Sequence, residues 1–503
     1  MLTRRNFVVG AASLPVLTKA SFAQKSAGVL RYGLAAFPPS LQPWSNTGAA
    51  AGTVKMLIHR SLVSFNAKGE LQPELAESWS SEGKAWTFKL RRGVTFHNGD
   101  AFDAEDVRFS LEQVGAEKST AYFKAQIAGL EKIEILDPFT VRLVAKEPVA
   151  TLPLWFGNYN MHIVSRKSTE ANMIGCGPFR ITGQERGTSI DLTAFDKFFK
   201  PGLPKLKGIK FIIYADENLR TAALQSGDVD MIEYVPWQSM AAVERDPRLK
   251  LDAQPGPFMC LLFNGSKGPW SDPRVRRAAG HAVKREDIVK AAFFGRGTAL
   301  EGVPLVEGTP WYDPVLGKGW AYDPAKSKAL LAEAGLPNGF NSTLLSTAQF
   351  GMHKDTAEVV QQHLKAVGIN CELRLPDWST RVKLGTEGQY EAAIHGLAAD
   401  NNDPDGLSAM LDMSLSASHG RSFALQAPKT VEALRRGRAE LDQARRVEIY
   451  KDMQRVCLEE APLIGLAWRS QGYGMDKSVQ GFTNIGGALA VASGNQLETT
   501  FFG

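Results

Sequence analysis

Apolar and polar positions repeat with two different periods along this chain, and the switches between them mark its elements. Trp86-Thr87-Phe88-Lys89-Leu90 alternates at period two and predicts a strand. The turn-rich Phe96-His97-Asn98-Gly99-Asp100 closes it, with His97 read as a turn residue. A helix is expected next, capped by Asp103 with Asp106 at the third position and with Val107, Leu111 and Val114 on its apolar side. Ile133-Glu134-Ile135 and Thr140-Val141-Arg142-Leu143 flank Asp137-Pro138 as a hairpin. Residues 190–193 and 209–213 read as strands, 217–226 as a helix stopped by Gly227, and 231–233 as the strand after it. The Gly-Asp-Val-Asp corner at 227–230 is then a turn whose acids need no function.

Pro255-Gly256-Pro257 interrupts the pattern and is the first candidate crossover between lobes. Beyond it, Asp272-Pro273 and Asp323-Pro324 each open a helix, with the acid as cap and proline at the first helical position. A third helix is expected over 355–367, stopped by Gly368 and followed by a strand at 371–375. An amphipathic helical stretch over 430–459 ends before Ala461-Pro462. The tail after it is apolar and glycine-rich, which suits burial, so it is expected to return to a preceding lobe. This helix–strand succession implies an α/β chain with a second α/β lobe.

Length supports more than one unit: 503 residues exceed the roughly 250 to 300 at which a single core stops growing. Apolar content of 44% and charged content of 22% exclude a collagen, a coiled coil or a largely disordered chain. The formal charge of +5 is mostly local, because Arg4, Arg5 and Lys19 lie near the start; without them 55 basic residues face 53 acidic ones, leaving +2. That is no footprint for a nucleic acid. Thr3-Arg4-Arg5-Asn6-Phe7-Val8, an apolar run to Leu17 and Ser21-Phe22-Ala23 read as a twin-arginine export signal over 1–23, so the expected location is the periplasm. Cys176, Cys260, Cys371 and Cys457 have apolar or glycine neighbours and are expected as buried free thiols.

A search for catalytic patterns returns none: no HExxH, GxSxG, phosphate-binding or dinucleotide-binding glycine loop, and no calcium-binding hand. The eight histidines are scattered, so neither a metal nor a cofactor is expected. Asp400, Asp403 and Asp405 cluster behind the strand-like Ala392-Ala393-Ile394-His395. They form either an exposed Asp/Asn/Pro/Gly turn or a strand-end loop that offers carboxylates to a cationic group. Several of the ten tryptophans stand outside periodic elements, as core residues or as faces of a solute-holding cleft. Trp378, Trp468 and Asn158 are the expected lining residues.

Several segments carry a resemblance. They include Leu71-Gln72-Pro73-Glu74-Leu75-Ala76-Glu77-Ser78-Trp79, the run from Thr87 through Gly99 into Ala104-Glu105-Asp106-Val107, Gly175-Cys176-Gly177-Pro178-Phe179 and Ala222 to Asp230. Asp272-Pro273-Arg274-Val275-Arg276-Arg277-Ala278 and Tyr322-Asp323-Pro324, through Leu330 to Gly335, extend it. Together these resemble the extracytoplasmic solute-binding proteins of family 5, the peptide/nickel-type receptors of ABC importers. The resemblance implies a two-lobed periplasmic binding protein fold (type II, large cluster C type) with an extra subdomain inserted in the first lobe. The expected division is a lobe I base at 28–56, 163–257 and 465–503, an insertion at 57–162, and lobe II at 258–464. In dipeptide-binding members an acid of the corresponding turn pairs with the ligand's α-amino group, which implies Asp400 or Asp403 here. Those members hold the ligand carboxylate with an arginine early in the second lobe, where this chain has Lys354, a point charge without the bidentate fork. The implied function is non-enzymatic: a monomer captures a di-/oligopeptide or peptide-like solute and delivers it to a membrane permease. An opine, an oligosaccharide or a metal chelate are alternative ligands, and a chaperone or signalling binding protein is the nearer rival role.

Overall fold

The computed structural model describes residues 28–121 and 123–503; the export segment expected at 1–23 lies outside the described residues. An 11-stranded sheet runs through the molecule. Its strands are β1 (Val29–Leu34), β2 (Phe179–Glu185), β3 (Ser189–Ala194), β4 (Gly208–Ile213), β5 (Met231–Ile232), β6 (Leu249–Phe263), β7 (Gly297–Ala299), β8 (Phe340–Leu345), β9 (Ile369–Arg374), β10 (Ala392–Leu397) and β11 (Ile464–Asp476). Their order is β9-β8-β10-β6-β11-β5-β1-β4-β3-β2, with β7 pairing β11 off this path. β1 runs parallel to β4 and β5, and β8 runs parallel to β9 and β10. Each half therefore has its own parallel centre, and the halves meet at the antiparallel β6–β11 pair. The expected two-lobed α/β architecture is borne out.

β6 and β11 are long because each serves both halves. Leu249 to Pro255 pair with Asp476 to Ser470, and Phe258 to Leu261 pair with Trp468 to Ile464. Pro255-Gly256-Pro257 does not break the chain into two elements, as its composition suggests, but lies inside β6. Two prolines have no N–H to give the ladder, so the register slips between Pro255 and Phe258, and it slips again between Met259 and Cys260. The crossover is a bulged ribbon. Beyond it, Met259, Leu261 and Phe263 pack into one core of the second half while Phe258, Cys260 and Leu262 pack into another.

A separate four-stranded antiparallel sheet has the order Ala76–Glu82, Ala85–Leu90, Thr140–Ala145, Leu130–Asp137. The helix Ala104–Gly115 covers it, placing Val107, Leu111 and Val114 in one core with Phe88, Val141 and Leu143. Its capping box forms as the sequence predicts, between Asp103 and Asp106. The four cysteines are free and buried. Two helical expectations change. The stretch expected over 430–459 is two helices, Pro428–Ala439 and Gln443–Glu460, because Asp442 accepts from the Arg445 N–H (2.9 Å) and starts a second helix. The helix expected from 355 begins earlier and spans Gly351–Ala366.

The tail returns to the first half as expected. Its 3₁₀ segment Gly487–Glu498 packs on the helix Ala49–Ile58, with Ala492 against Met56 and Tyr159. Glu498 closes a ring of four charges: Arg60 reaches Glu74 (2.9 Å) and Glu498 (2.5 Å), and Lys200 reaches the same two acids at 2.8 Å each. Burial pushes the Glu498 carboxyl upward, but the Arg60 and Lys200 charges outweigh it and hold the group below its ordinary range. A depressed carboxylate stabilises the fold above its unfolded pKa and loses that contribution as the pH falls through the folded one. Glu498→Ala is expected to cost about 3 kcal/mol in chemical denaturation at neutral pH, since it leaves two cations sharing Glu74 alone. The difference from wild type should shrink below about pH 4. Equal stability at pH 7 would show that the ring does not anchor the tail.

Candidate functional site

A cavity of about 770 Å³ opens where the ribbon passes between the halves. Pro257 and residues 469–472 form its floor; Tyr234 to Gln238 and the start of the helix Glu217–Ser226 line one wall, and Gln349 to Met352 with Asp355 line the other. That size suits a small organic solute.

The first wall is held by buried polar groups. Tyr234 has a positive φ of 52°, a conformation costly for a bulky residue. Arg220 clamps the corner by donating to the carbonyls of Tyr214 (2.8 Å), Glu233 (3.1 Å) and Tyr234 (3.2 Å). The Glu233 side chain accepts from the Ala35 N–H (3.2 Å), Thr53 Oγ1 (3.3 Å) and Tyr32 OH (3.4 Å). Burial pushes its pKa up to about 7. Trp237 closes the corner by donating Nε1–H to the Ser470 carbonyl at 2.7 Å.

Behind Phe350, an aromatic cluster backs the second wall without itself lining the cavity. Trp378 sits 5.6 Å from Phe350, 5.4 Å from His353, 6.0 Å from His419 and, stacked, 6.1 Å from His395, measured between ring centres. The scattered histidines of the sequence thus converge from three elements. Burial is the first cause that lowers all three: His353 falls to about 3 and His395 well below its ordinary value, with Arg381 adding to each. The cluster is neutral at physiological pH. Among the described residues, no group of His, Cys, Asp or Glu is placed to hold a metal ion.

The acidic turn after β10 separates its three carboxylates. Asp403 receives Arg446 on both oxygens, at 2.5 and 2.6 Å, and caps the following 3₁₀ turn by accepting from the Asp405 N–H (2.9 Å). Asp405 accepts from Arg438 (2.9 Å), Ser408 (2.7 Å) and Thr151 (2.7 Å). The Asp400 N–H donates to the Gly406 carbonyl (3.2 Å), but its carboxylate has no hydrogen-bond or ion-pair partner among the described residues. Desolvation, then the Asp405 charge, pushes its pKa up to about 7. Of the two acids expected to meet an amine, Asp403 is committed to the fold and Asp400 is uncommitted.

The other expected residues divide. Trp378 is the hub of the aromatic cluster but is not among the residues that line the cavity. Trp468 packs edge-on against Phe258 (5.3 Å) and lines a small pocket beside Gly256, Ala399 and Asn401. Lys354 is turned away: helical spacing puts Met352 and Asp355 on the cavity, while the Lys354 ammonium lies on the outer face, 3.7 Å from Glu358. Asn158 caps the turn Tyr159–Met161 by accepting from the Asn160 N–H (2.8 Å) and does not line the cavity. The cation that sequence reasoning missed on the cavity floor is Arg469. Its signal was a lone arginine directly after the apolar run 464–468 of a strand.

The halves also touch away from the ribbon. Thr151 bonds Asp405, the Ala150 N–H donates to the Arg438 carbonyl (2.8 Å), and Arg296 forks onto Glu244 at 2.8 and 2.6 Å. These contacts hold the cavity closed.

Residues 70–418 match the family described as bacterial extracellular solute-binding proteins, family 5 Middle. The glutathione-binding protein GsiB of Pectobacterium atrosepticum is 28% identical over 468 residues, 88% of this chain and 89% of that protein. The periplasmic binding protein AgaA from A. tumefacien R10, solved with agropinic acid, is 35% identical with a TM-score of 0.83 over 94% of this chain and 99% of that one. A dipeptide-binding protein from Pseudoalteromonas sp. SM9913, solved with Met-Leu, shares the fold at 22% identity, with a TM-score of 0.77 over 92% of this chain and 99% of that one.

Thr151→Val removes one hydrogen bond across the cleft, worth about 1 kcal/mol. It is expected to shift the open–closed equilibrium about fivefold toward the open form, seen as a larger radius of gyration in small-angle scattering. An unchanged scattering profile would show that closure does not lean on this bond.

Proposed function

The chain belongs to the bacterial extracellular solute-binding proteins of family 5, and on that premise we propose that its cleft captures a short peptide or peptide-like solute bearing an amine. Its role is that of an extracytoplasmic receptor that hands a solute to an ABC importer. The proposal concerns the ligand, and the observation that carries it is the uncommitted Asp400 carboxylate in the acidic turn beside Trp468. A desolvated ammonium needs an opposite charge, and Asp400 is the acid of the turn still free to supply one. Trp237 and Phe350 on the cavity walls suit the apolar parts of such a solute. Capture then needs no covalent step, only closure of a monomeric receptor and its docking on a cognate permease.

An amino-acid-derived opine is the second reading, favoured by the 35% identity to AgaA, whose solved structure holds agropinic acid. Glutathione and agropinic acid are both acids derived from amino acids, so the two readings share ligand chemistry. Titration calorimetry with glutathione, dipeptides and agropinic acid separates them.

Asp400→Asn is expected to weaken binding of an amine-bearing peptide at least tenfold, or 1.4 kcal/mol. The pH dependence follows from the raised pKa of about 7. Below it the free carboxyl is protonated and must release its proton to meet an ammonium, so affinity rises from pH 5 to 7 and then levels. Asp400→Asn should abolish that rise. A wild-type affinity independent of pH over this range counts against Asp400 as the amine receptor.

A further inference from the structure

We propose that Arg469, on the floor of the cleft, is an anion subsite that holds a carboxylate of the bound solute, a reading that rests on the receptor role above and specifies its ligand. The buried arginines find oxygen acceptors within the fold, whereas Arg469 is half-buried. Arg31, Arg60 and Arg446 each reach a carboxylate. Arg220, Arg276, Arg285, Arg381 and Arg421 each donate to two or more backbone carbonyls. Arg469 has neither. Among the described residues its guanidinium meets only the Met352 sulfur, 3.3 Å from Nη1, and its buried Nε–H finds no acceptor.

Position makes this more than a packing defect. Arg469 belongs to β11, where the strand crosses between the halves, and it lines the 770 Å³ cavity. Among the described residues no carboxylate forms an ion pair with it, and the neighbouring Tyr234 hydroxyl of the first wall, whose pKa burial raises, is neutral at physiological pH. A half-buried guanidinium whose Nε–H has no acceptor is left short of hydrogen bonds, and a ligand carboxylate in bidentate contact supplies them. The remaining charges of the cavity narrow the choice of anion. Asp216, Glu217 and Asp355 also line it, so a dianionic phosphate meets repulsion that a single carboxylate largely avoids. Arg469 therefore takes the part that the sequence comparison had given to Lys354, from the ribbon instead of the second lobe. With Asp400 as the amine receptor proposed above, a carboxylate at Arg469 makes the solute one that carries both groups.

The test compares wild type, Arg469→Gln and Arg469→Lys by calorimetry and thermal shift. The probes are glutathione, L-alanyl-L-alanine and its C-terminal amide. A carboxylate probe is expected to bind wild type at least a hundredfold tighter than Arg469→Gln, with partial recovery in Arg469→Lys. The amide should bind wild type and Arg469→Gln alike. Without probe, Arg469→Gln should be at least as stable as wild type, because it removes an uncompensated half-buried charge. Equal responses of wild type and Arg469→Gln to the carboxylate probes, including no response from either, overturn the subsite. So does a less stable or unfolded Arg469→Gln, since a guanidinium that supports the fold is not waiting for a ligand. The receptor role is judged separately, by solute uptake in cells with and without the chain, so the subsite can fail while that role stands.

Discussion

Two strands belong to both halves of this molecule, and the position of the cleft follows from that. β6 and β11 must hydrogen-bond continuously enough to join one sheet and yet bend enough to separate two lobes. Pro255 and Pro257 resolve the conflict by withholding their N–H groups where the lobes part, so the ladder slips without coming apart. Arg469 lies opposite this slip, and with the adjoining residues 470–472 it forms the cavity floor. Trp237 and the Arg296–Glu244 fork brace the same crossing from either side.

Charge is distributed according to the same division. Away from the cleft, buried ions are neutralised within the fold: Arg31 by Asp230, Arg446 by Asp403, and Arg60 and Lys200 by Glu74 and Glu498. These pairs tie distant segments together and leave nothing for a ligand. Around the cleft the rule reverses. Asp400 and Arg469 have no countercharge, and Glu233 is met by hydrogen bonds without an ion pair. Incomplete electrostatic satisfaction in an otherwise well-paired structure marks where binding energy is reserved for something outside the chain.

The legible part of the fold is the part written locally. Asp103 with Asp106, Asp272-Pro273, Asp323-Pro324 and Gly227 each set a helix end through contacts within a few residues, and all four are read correctly from sequence. Errors arise where a distant partner decides. Nothing near Pro255 shows that β11 will keep pairing across it. Asp400 and Asp403 are indistinguishable in sequence, because Arg446, which commits one of them, lies 43 residues away. Lys354 fails for a different reason: its helix starts earlier than expected, which moves the cavity-facing positions to Met352 and Asp355. The aromatic cluster was half visible, since Trp378 stood out while His353, His395 and His419 gain meaning only together.

The bonds that close the cleft have a property that suits a receptor. Asp405 keeps Arg438 and Ser408 whether or not Thr151 is present, because both lie on its own side of the cleft. Opening therefore strands no buried charge; it exchanges the Thr151 hydroxyl, the Ala150 N–H and the solvent-exposed Arg296–Glu244 fork for water. Such exchanges cost about 1 kcal/mol each. A closing surface built on a buried ion pair would cost several kcal/mol to open and would shut the receptor without its solute. With small closing terms, the balance is left to whatever occupies the cavity. The strong term available there is the Arg469 guanidinium, which no carboxylate of the fold pairs. A solute that satisfies it stabilises the closed form by more than the peripheral bonds do, which couples recognition to closure without a dedicated switch.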